Sequence, residues 1–421
     1  MIGESKYPMR AEHNGESQYL QRSRGDLISS YVEYADVFEA PPEAHEAVAI
    51  TAISAAANGN VYIKNGGQVL TLDNWTLLLS GSGFGRNTLL SLLWPVLKQA
   101  GLEDLVRNLT WGSKQGFYQD IAENPTGFFV WEEVSAALKA LSDSKFGEAK
   151  QWLTNCYDNI RPPQDIKYRR ADKGGDTPPI TFGQAPRLSI LATSSRDWFI
   201  NGLTQEDTTG GFIPRWFLVD LPNVNRTIPI PDEPNGQAVP NLGECLAEVR
   251  KLKGTVDLNS VSDMYRDWYE VTRKRFREQA NQTISEAFWN RHRVHLLKLA
   301  TIFGMSQGDG LTVSPQAMER AIKSARMTEH TIFDLIPTGL SSEGAAVDKL
   351  EKEIWRAGVA GLPKSQFTRA FQDMPHRERE SRLGTLCAAQ IVYRFFQPTA
   401  GRKAEILVHK DYLHEHQEIS Q

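Results

Sequence analysis

Apolar positions change their spacing along the chain, and the changes divide it into segments. Residues 1–25 carry polar and charged side chains with no sustained apolar pattern, which predicts a disordered N-terminus. From Asp26 the stretch DLISSYVEYADVF is apolar at helical spacing and breaks at Pro41-Pro42. EAHEAVAITAISAAANG then predicts an Ala-rich helix stopping at Asn58-Gly59, and VYIKNGGQVLTL a pair of strands turning at Asn65-Gly66-Gly67. These make an N-terminal helical and strand region over 26–72. Four short apolar runs follow: WTLLLS at 75–80, GFFVW at 127–131, RLSILA at 187–192 and WFLVD at 216–220. Continuous runs of this length, bounded by turn residues and separated by helical patterns, predict buried strands of a parallel sheet. The expected fold is therefore α/β, with the sheet over 73–235, a helical domain over 236–340 and a compact final domain over 341–421.

The first of these strands runs into SGSGFGRNT and then an amphipathic helix, the strand, glycine-rich turn and helix that wrap a nucleotide's phosphates. A phosphate loop reads G-x-x-x-x-G-K-[ST]: backbone N–H groups nest the β-phosphate, the Lys reaches the β/γ oxygens and the hydroxyl holds Mg²⁺. Here Ser80 takes the place of the first Gly, Gly81 follows it, and Gly83 and Gly85 keep the turn. With Arg86 as a one-residue insertion, Asn87 occupies the Lys position and Thr88 the hydroxyl position. Without it, Arg86 and Asn87 take those positions. In both alignments the ammonium group is missing.

About 50 residues on, GFFVWEEVS ends a buried strand in two acids. One carboxylate beside Mg²⁺ and a neighbour that polarises the attacking water make the second signature of a nucleotide site. The usual Asp-Glu is here Glu132-Glu133; acids in the first turn of an ordinary helix are the simpler reading. The strand at 187–195 ends in Thr193 and Ser194, either of which could contact a γ-phosphate or cap a helix. Arg215, at the head of the 216–220 strand, suits an arginine finger reaching a neighbouring subunit's phosphate, or a local ion pair with Asp220. Residues 161–187 read as a β-hairpin with Lys167, Arg169, Arg170 and Lys173 near its tip, placed to grip a nucleic-acid backbone, or as a surface loop. His292, His295 and Lys298 lie on one helix and are expected to be partly exposed and hydrogen-bonded.

In the last segment, AVDKLEKEIWRA, a turn at 358–363, KSQFTRAFQDM, RERESRLGTLCAAQ and two strands, IVYRFF and AEILVHK, match a winged helix. Its wing tip carries Arg402 and Lys403. Residues 360–410 hold nine Lys and Arg against four acids, a local excess of five positive charges in a chain of net charge −4. That distribution points to DNA at the C-terminal part, with protein docking as the alternative. The 421 residues suffice for two or three domains, and 40% apolar with 23% charged residues is ordinary globular composition. Three scattered cysteines without a C-x-x-C pair offer neither a metal signature nor a disulfide framework, as expected of a reducing cytoplasm. No run approaches the ~20 apolar residues of a membrane span, so no membrane association is expected.

Taken in order, YVEYADVFEAPPEAHEAVAITAISAAANGNVYI, NWTLLLSGSGFGRNT, GFFVWEEVS, LSILATSS, GFIPRWFLV, RHRVHLLKLATIF and AMERAI resemble a family of P-loop proteins of unknown function. Its members occur in phages, plasmids and integrated elements, often beside or fused to primases. The resemblance covers roughly 26–340 and rests on the succession of motifs. The family's loop often reads G-x-x-G-x-G-R-K-[ST], which sets Asn87 opposite the Lys. The layout, with a C-terminal winged helix behind the core, is also similar to minichromosome-maintenance-type AAA+ helicases. The resemblance implies ATP and Mg²⁺ as ligands, the metal held by Thr88 and Glu132, a homo-oligomer with sites at subunit interfaces, DNA as partner and a primase or other replication protein nearby. The chain departs from the family at Asn87 and Glu132. A charge-assisted hydrogen bond is worth ~1.5–3 kcal/mol, so nucleotide binding is expected to weaken by about one to two orders of magnitude. The expected function is a DNA-associated, nucleotide-binding protein of weak or absent ATPase activity; the alternative is an active hexameric helicase or translocase.

Overall fold

The computed structural model describes residues 26–81, 86–108, 113–131, 134, 149–167, 178–203, 205–221, 228–279, 281–335, 347, 350–351, 353–372, 374–397 and 404–419. They fall into two compact units, one within 15–336 and one within 337–421.

In the first unit the helix Leu27–Ala35 is capped by Asp26, whose Oδ1 accepts from the Ser29 amide at 2.9 Å. The same buried carboxylate accepts from Ser306 Oγ at 2.9 Å and pairs with Arg320 at 2.6 Å, so one cap ties three helices. The next helix, Pro42–Ala57, opens on a proline, which lacks the N–H that a first turn leaves unused. Nearly all its residues are buried, small alanines letting it lie within the core against the sheet. Strands β1 (Val61–Asn65) and β2 (Gln68–Thr71) form the expected antiparallel pair.

The main sheet is parallel throughout. It comprises β3 (Trp75–Ser80), β4 (Val106–Asn108), β5 (Thr126–Trp131), β6 (Arg187–Ser195) and β7 (Trp216–Asp220), in the order β4-β5-β6-β3-β7. Every residue of β3 is buried, as its unbroken apolar run requires of a strand covered on both faces. The helix Arg86–Gln99 follows β3, and Ala238–Lys251 packs on it so closely that a Cβ at Gly243 would stand 2.4 Å from Gln99 Cγ. The long helices Gln282–Gln307 and Pro315–Leu335 pack on each other, and the second also covers β7.

Residues 241–340 are not wholly helical as expected. Gly254–Val256 forms β8, pairing parallel with β1 in a second sheet of order β2-β1-β8. Three residues are too few to show a period, and only the tertiary approach of the two segments pairs them. The same reason hides β4.

In the second unit, helices Lys364–Ala370 and His376–Ala388 precede β10 (Val392–Gln397) and β11 (Ala404–His409). A short β9 (Leu362–Pro363) adds a third antiparallel strand to the expected two, in the order β10-β11-β9. The chain enters β9 at Gly361, where φ is 71° and a Cβ would lie 2.6 Å from Ile406 Cγ2, so glycine is needed. Leu350, Ile354, Phe367, Leu383, Leu386 and Leu407 belong to its own apolar core.

Candidate functional site

Because β3, β5, β6 and β7 run parallel, their carboxyl ends share one edge of the sheet. Leu79 is level with Ser194 and Asp220, Ser80 with Ser195, and Trp131 with Ala192. Ser80 ends β3, buried, and the helix begins at Arg86, so residues 81–85 join strand to helix. Gly81 and Thr88 are exposed there, Thr88 in the first helical turn. Gly83 and Gly85 lie outside the described residues, and so do the side chains of Arg86 and Asn87. The backbone N–H groups of this first turn have no intrahelical acceptor, and the helix dipole favours negative charge beside them.

Thr193 and Ser194 are buried at the end of β6, adjacent to β3. The capping role falls to Ser195, whose Oγ accepts from the Trp198 amide at 3.3 Å and opens the helix Arg196–Gly202. Glu132 and Glu133 follow Trp131 directly in sequence but lie outside the described residues. Among the described residues no group of three or more His, Cys, Asp or Glu gathers to hold a metal. The expected Mg²⁺ donors, Thr88 and Glu132, are few by design of such sites, where waters and phosphate oxygens supply the rest.

Two residues at this edge escaped the sequence reading. Arg196 Nη1 pairs with Asp220 Oδ2 at the end of β7, and Arg196 Nη2 lies 3.4 Å from Asp334 Oδ2. An arginine directly after the hydroxyl-rich end of β6 was the available signal.

Arg215 stands at the other edge. It precedes Trp216, which is level with Trp75 at the start of β3, so it is separated from Asp220 by the length of β7 and the two do not pair. Its Nη1 donates to the Gly211 carbonyl at 2.5 Å, its guanidinium lies 5.9 Å from the Tyr157 ring centre, and its own carbonyl meets His295 Nε2 at 3.1 Å. Burial, then the Arg291 charge, pull its pKa down to about 10. The structure therefore does not bring Arg215 to Ser80, Thr88, Thr193 and Ser194.

The amino edge holds a buried ionic cluster. Lys298, 1% exposed, donates to the Asp73 carbonyl and pairs with Asp158, both at 2.7 Å, over the Tyr157 ring at 4.0 Å. Asp73 accepts from Asn58 at 2.8 Å and Thr71 at 2.6 Å, and Arg187 approaches it at 4.0 Å. Burial alone would lower the Lys298 pKa, but the Asp158 carboxylate raises it overall, while burial raises that of Asp73. The expected partial exposure of His292, His295 and Lys298 is thus overturned: all three are buried, His292 among Trp268, Trp289 and Phe276 with its pKa pushed down to about 3 by burial. Apolar periodicity cannot reveal that a cationic helix position meets a carboxylate from a distant loop.

The hairpin is present at its root. Ile166 and Ile180 exchange two backbone hydrogen bonds, of 3.0 and 2.9 Å, in antiparallel register. Lys167 adjoins this bridge; Arg169, Arg170 and Lys173 lie outside the described residues. In the second unit Arg402 and Lys403 also lie outside them. Three of its cations pair with acids already counted against them, Lys364 with Glu380 at 2.8 Å, Arg382 with Glu378 at 2.6 Å and Arg394 with Glu405 at 3.3 Å, so the excess of five stands, and Arg379 is buried on the Phe371 carbonyl. Arg369, Arg377 and Lys410 are exposed.

The fold defines a mixed α/β protein built on a five-stranded parallel sheet with a small helical and antiparallel-sheet unit. The chain matches no protein-family model and no curated protein. Among the described residues no helix is long and apolar enough to cross a membrane. Cys156, Cys245 and Cys387 are free.

Proposed function

We infer that the chain is a DNA-associated P-loop NTPase-like protein whose altered loop binds ATP–Mg²⁺ weakly and hydrolyses it slowly or not at all. The observation that carries this reading is the alignment of Ser80, Ser194 and Trp131 at the carboxyl edge of one parallel sheet, with a helix starting at Arg86. The connection leaving β3 runs to β4 at one edge of the sheet, whereas the connection leaving its neighbour β6 runs the other way, past β3 to β7, so the two diverge between β3 and β6. Open α/β sheets carry ligands at the carboxyl ends of strands where neighbouring connections diverge in this way.

In this reading the first-turn amides and Thr88 hold the phosphates and the metal-side oxygen, Glu132 completes the metal's protein donors, Glu133 orients the attacking water, and Thr193 or Ser194 contacts the γ-phosphate. ATP–Mg²⁺ would supply the electrophilic phosphorus, with its charge balanced by the metal. Asn87 offers the phosphates a neutral amide where a cation stabilises the transition state, which costs hydrolysis more than binding. Arg215, held by Gly211 at the far edge, is left without the finger role within its own site; its service to a neighbour in a homo-oligomeric ring rests on the resemblance. The second unit, as a winged helix, and the basic hairpin would contact DNA, with a primase or other replication protein as a further partner.

ATP turnover measured with and without single-stranded DNA tests the reading. Negligible turnover in the parent, with Asn87→Lys tightening ATP binding about ten- to hundred-fold and raising turnover, is expected. DNA-stimulated turnover in the parent that Glu133→Gln abolishes would instead establish an active motor. No ATP binding by either protein removes the reading.

A further inference from the structure

A cavity of about 540 Å³ opens at the amino edge of the main sheet, between the root of the hairpin and the end of the helix Pro42–Ala57. It lies at the start of β6, and the seven residue steps from Arg187 to Ser194 at ~3.3 Å each set it roughly 23 Å from the Ser194 edge. Its walls include Ile160 and Gln184 from the two legs of the hairpin, Tyr62 of β1, and the guanidinium-bearing Arg187 and Arg250. None of the described residues that line it is acidic.

Arg187 is the informative wall. It is 6% exposed, and Nη1 donates to the carbonyls of Asn159 at 2.7 Å and Pro186 at 3.2 Å. Its Nε and Nη2 make no hydrogen bond among the described residues, which leaves a nearly buried cationic fork with donors to spare in a cavity wall. The charge behind it does not cancel it: in the adjoining cluster Asp73 and Asp158 face three cations, Lys298, Arg187 and Arg291. Arg250, exposed in the last turn of its helix, adds a second guanidinium to the lining, and Gln184 a neutral amide.

A forked cation with free donors, a second cation, a neutral amide and no acid, in a mostly polar lining that also includes Tyr62, match the oxyanion of a nucleotide. We propose that this cavity binds the phosphate of a nucleotide, presented by a single strand lying along the hairpin or by a free mononucleotide. Residues 160, 162 and 183–185 line it, and Arg161 and Lys167, both exposed, belong to the same segment of chain. The site is independent of the nucleotide reading of the carboxyl edge.

Arg187→Ala would also remove the hydrogen bonds that hold the hairpin's root, so the test uses the exposed wall residues. Full-length Arg250→Glu and Gln184→Glu proteins are compared with the parent, using fluorescence anisotropy of labelled dT12 and phosphorus NMR line broadening of inorganic phosphate and AMP. Each variant is expected to weaken phosphate binding on the order of ten-fold or more. Loss of dT12 together with phosphate makes the strand the source; loss of AMP and phosphate with dT12 retained makes a free nucleotide the source. Unchanged binding of all three probes in both variants overturns the proposal. Thr88→Ala serves as the separate control: if AMP binding is lost only in that variant while dT12 and phosphate binding are unchanged in both cavity variants, the carboxyl-edge reading survives and the cavity is ruled out.

Discussion

Lys298 illustrates what a single buried charge does in this core. It is 1% exposed, and its ammonium is satisfied by the Asp158 carboxylate, the Asp73 carbonyl and the Tyr157 ring. Removing one partner of such a pair leaves the other charged and desolvated, at a cost of about 3–5 kcal/mol. Lys298→Met is therefore expected to lower the denaturation midpoint strongly, whereas Arg266→Ala, at an exposed pair with Asp263, is expected to change it hardly at all. Glu46 gives a pH signature. Burial raises its pKa to about 7, opposed by Ser324, which donates to Oε1 at 2.8 Å, and by the Arg320 charge. An acid whose folded pKa exceeds its unfolded value binds more protons when folded, so its contribution is fully present below pH 4.5 and is lost as pH rises to about 7. The shift corresponds to roughly 3 kcal/mol at most. His292, pushed down to about 3, acts in the opposite sense over a similar range, so the comparison must be between proteins. Glu46→Gln is expected to be relatively more stable at pH 8 than at pH 5 when each is measured against the parent by urea denaturation; a pH-independent difference excludes the titration.

At the scale of elements, the hairpin root is the clearest link between chain pattern and role. The antiparallel exchange between Ile166 and Ile180 was legible because the alternation of KYR and ITF residues flanks Gly174-Gly175, itself outside the described residues. Its anchoring was not, since Arg187 ties the two legs through the Asn159 and Pro186 carbonyls only once β6 is in place. Replacing Lys167, Arg169, Arg170 and Lys173 together with Ala is expected to flatten the salt dependence of DNA binding, each lost phosphate contact reducing the logarithmic slope by about 0.7 for a single strand. An unchanged slope would take the hairpin out of the interface. The strand-to-helix junction at 80–86 was legible for a different reason: a buried apolar run can end in glycines and resume as a helix in few ways. The edge of Arg215 was legible but not drawn out: once the sheet is expected to be parallel, a residue at the head of a strand falls at the amino edge, opposite the edge reached by Ser80 and Ser194.

Over the whole molecule, the five-stranded sheet brings together segments from Trp75 to Asp220 in an order that no local pattern encodes. The separate core of the second unit, centred on Phe367, Leu383 and Leu407, predicts independent folding. A fragment of residues 337–421 is expected to give a cooperative thermal transition and helical circular dichroism by itself; a non-cooperative melt would show that the unit needs the rest of the chain. Charge pairing within this unit leaves its net basic character unchanged: Lys364, Arg382 and Arg394 are engaged with Glu380, Glu378 and Glu405, acids already counted against the nine cations, so the field a partner meets comes from the net excess of five.

The amino-acid order alone determined the apolar strands, the passage from strand to helix after Ser80, the Ala-rich core helix and the antiparallel approach of Ile166 and Ile180, because each is written in a local period or in residues with restricted backbone freedom. Tertiary structure alone decided which strand ends face the same edge, that Lys298 is buried on Asp158, and that Arg187 lines a cavity. These depend on contacts between residues tens to hundreds of positions apart, where burial and opposite charge, not sequence spacing, set the energy.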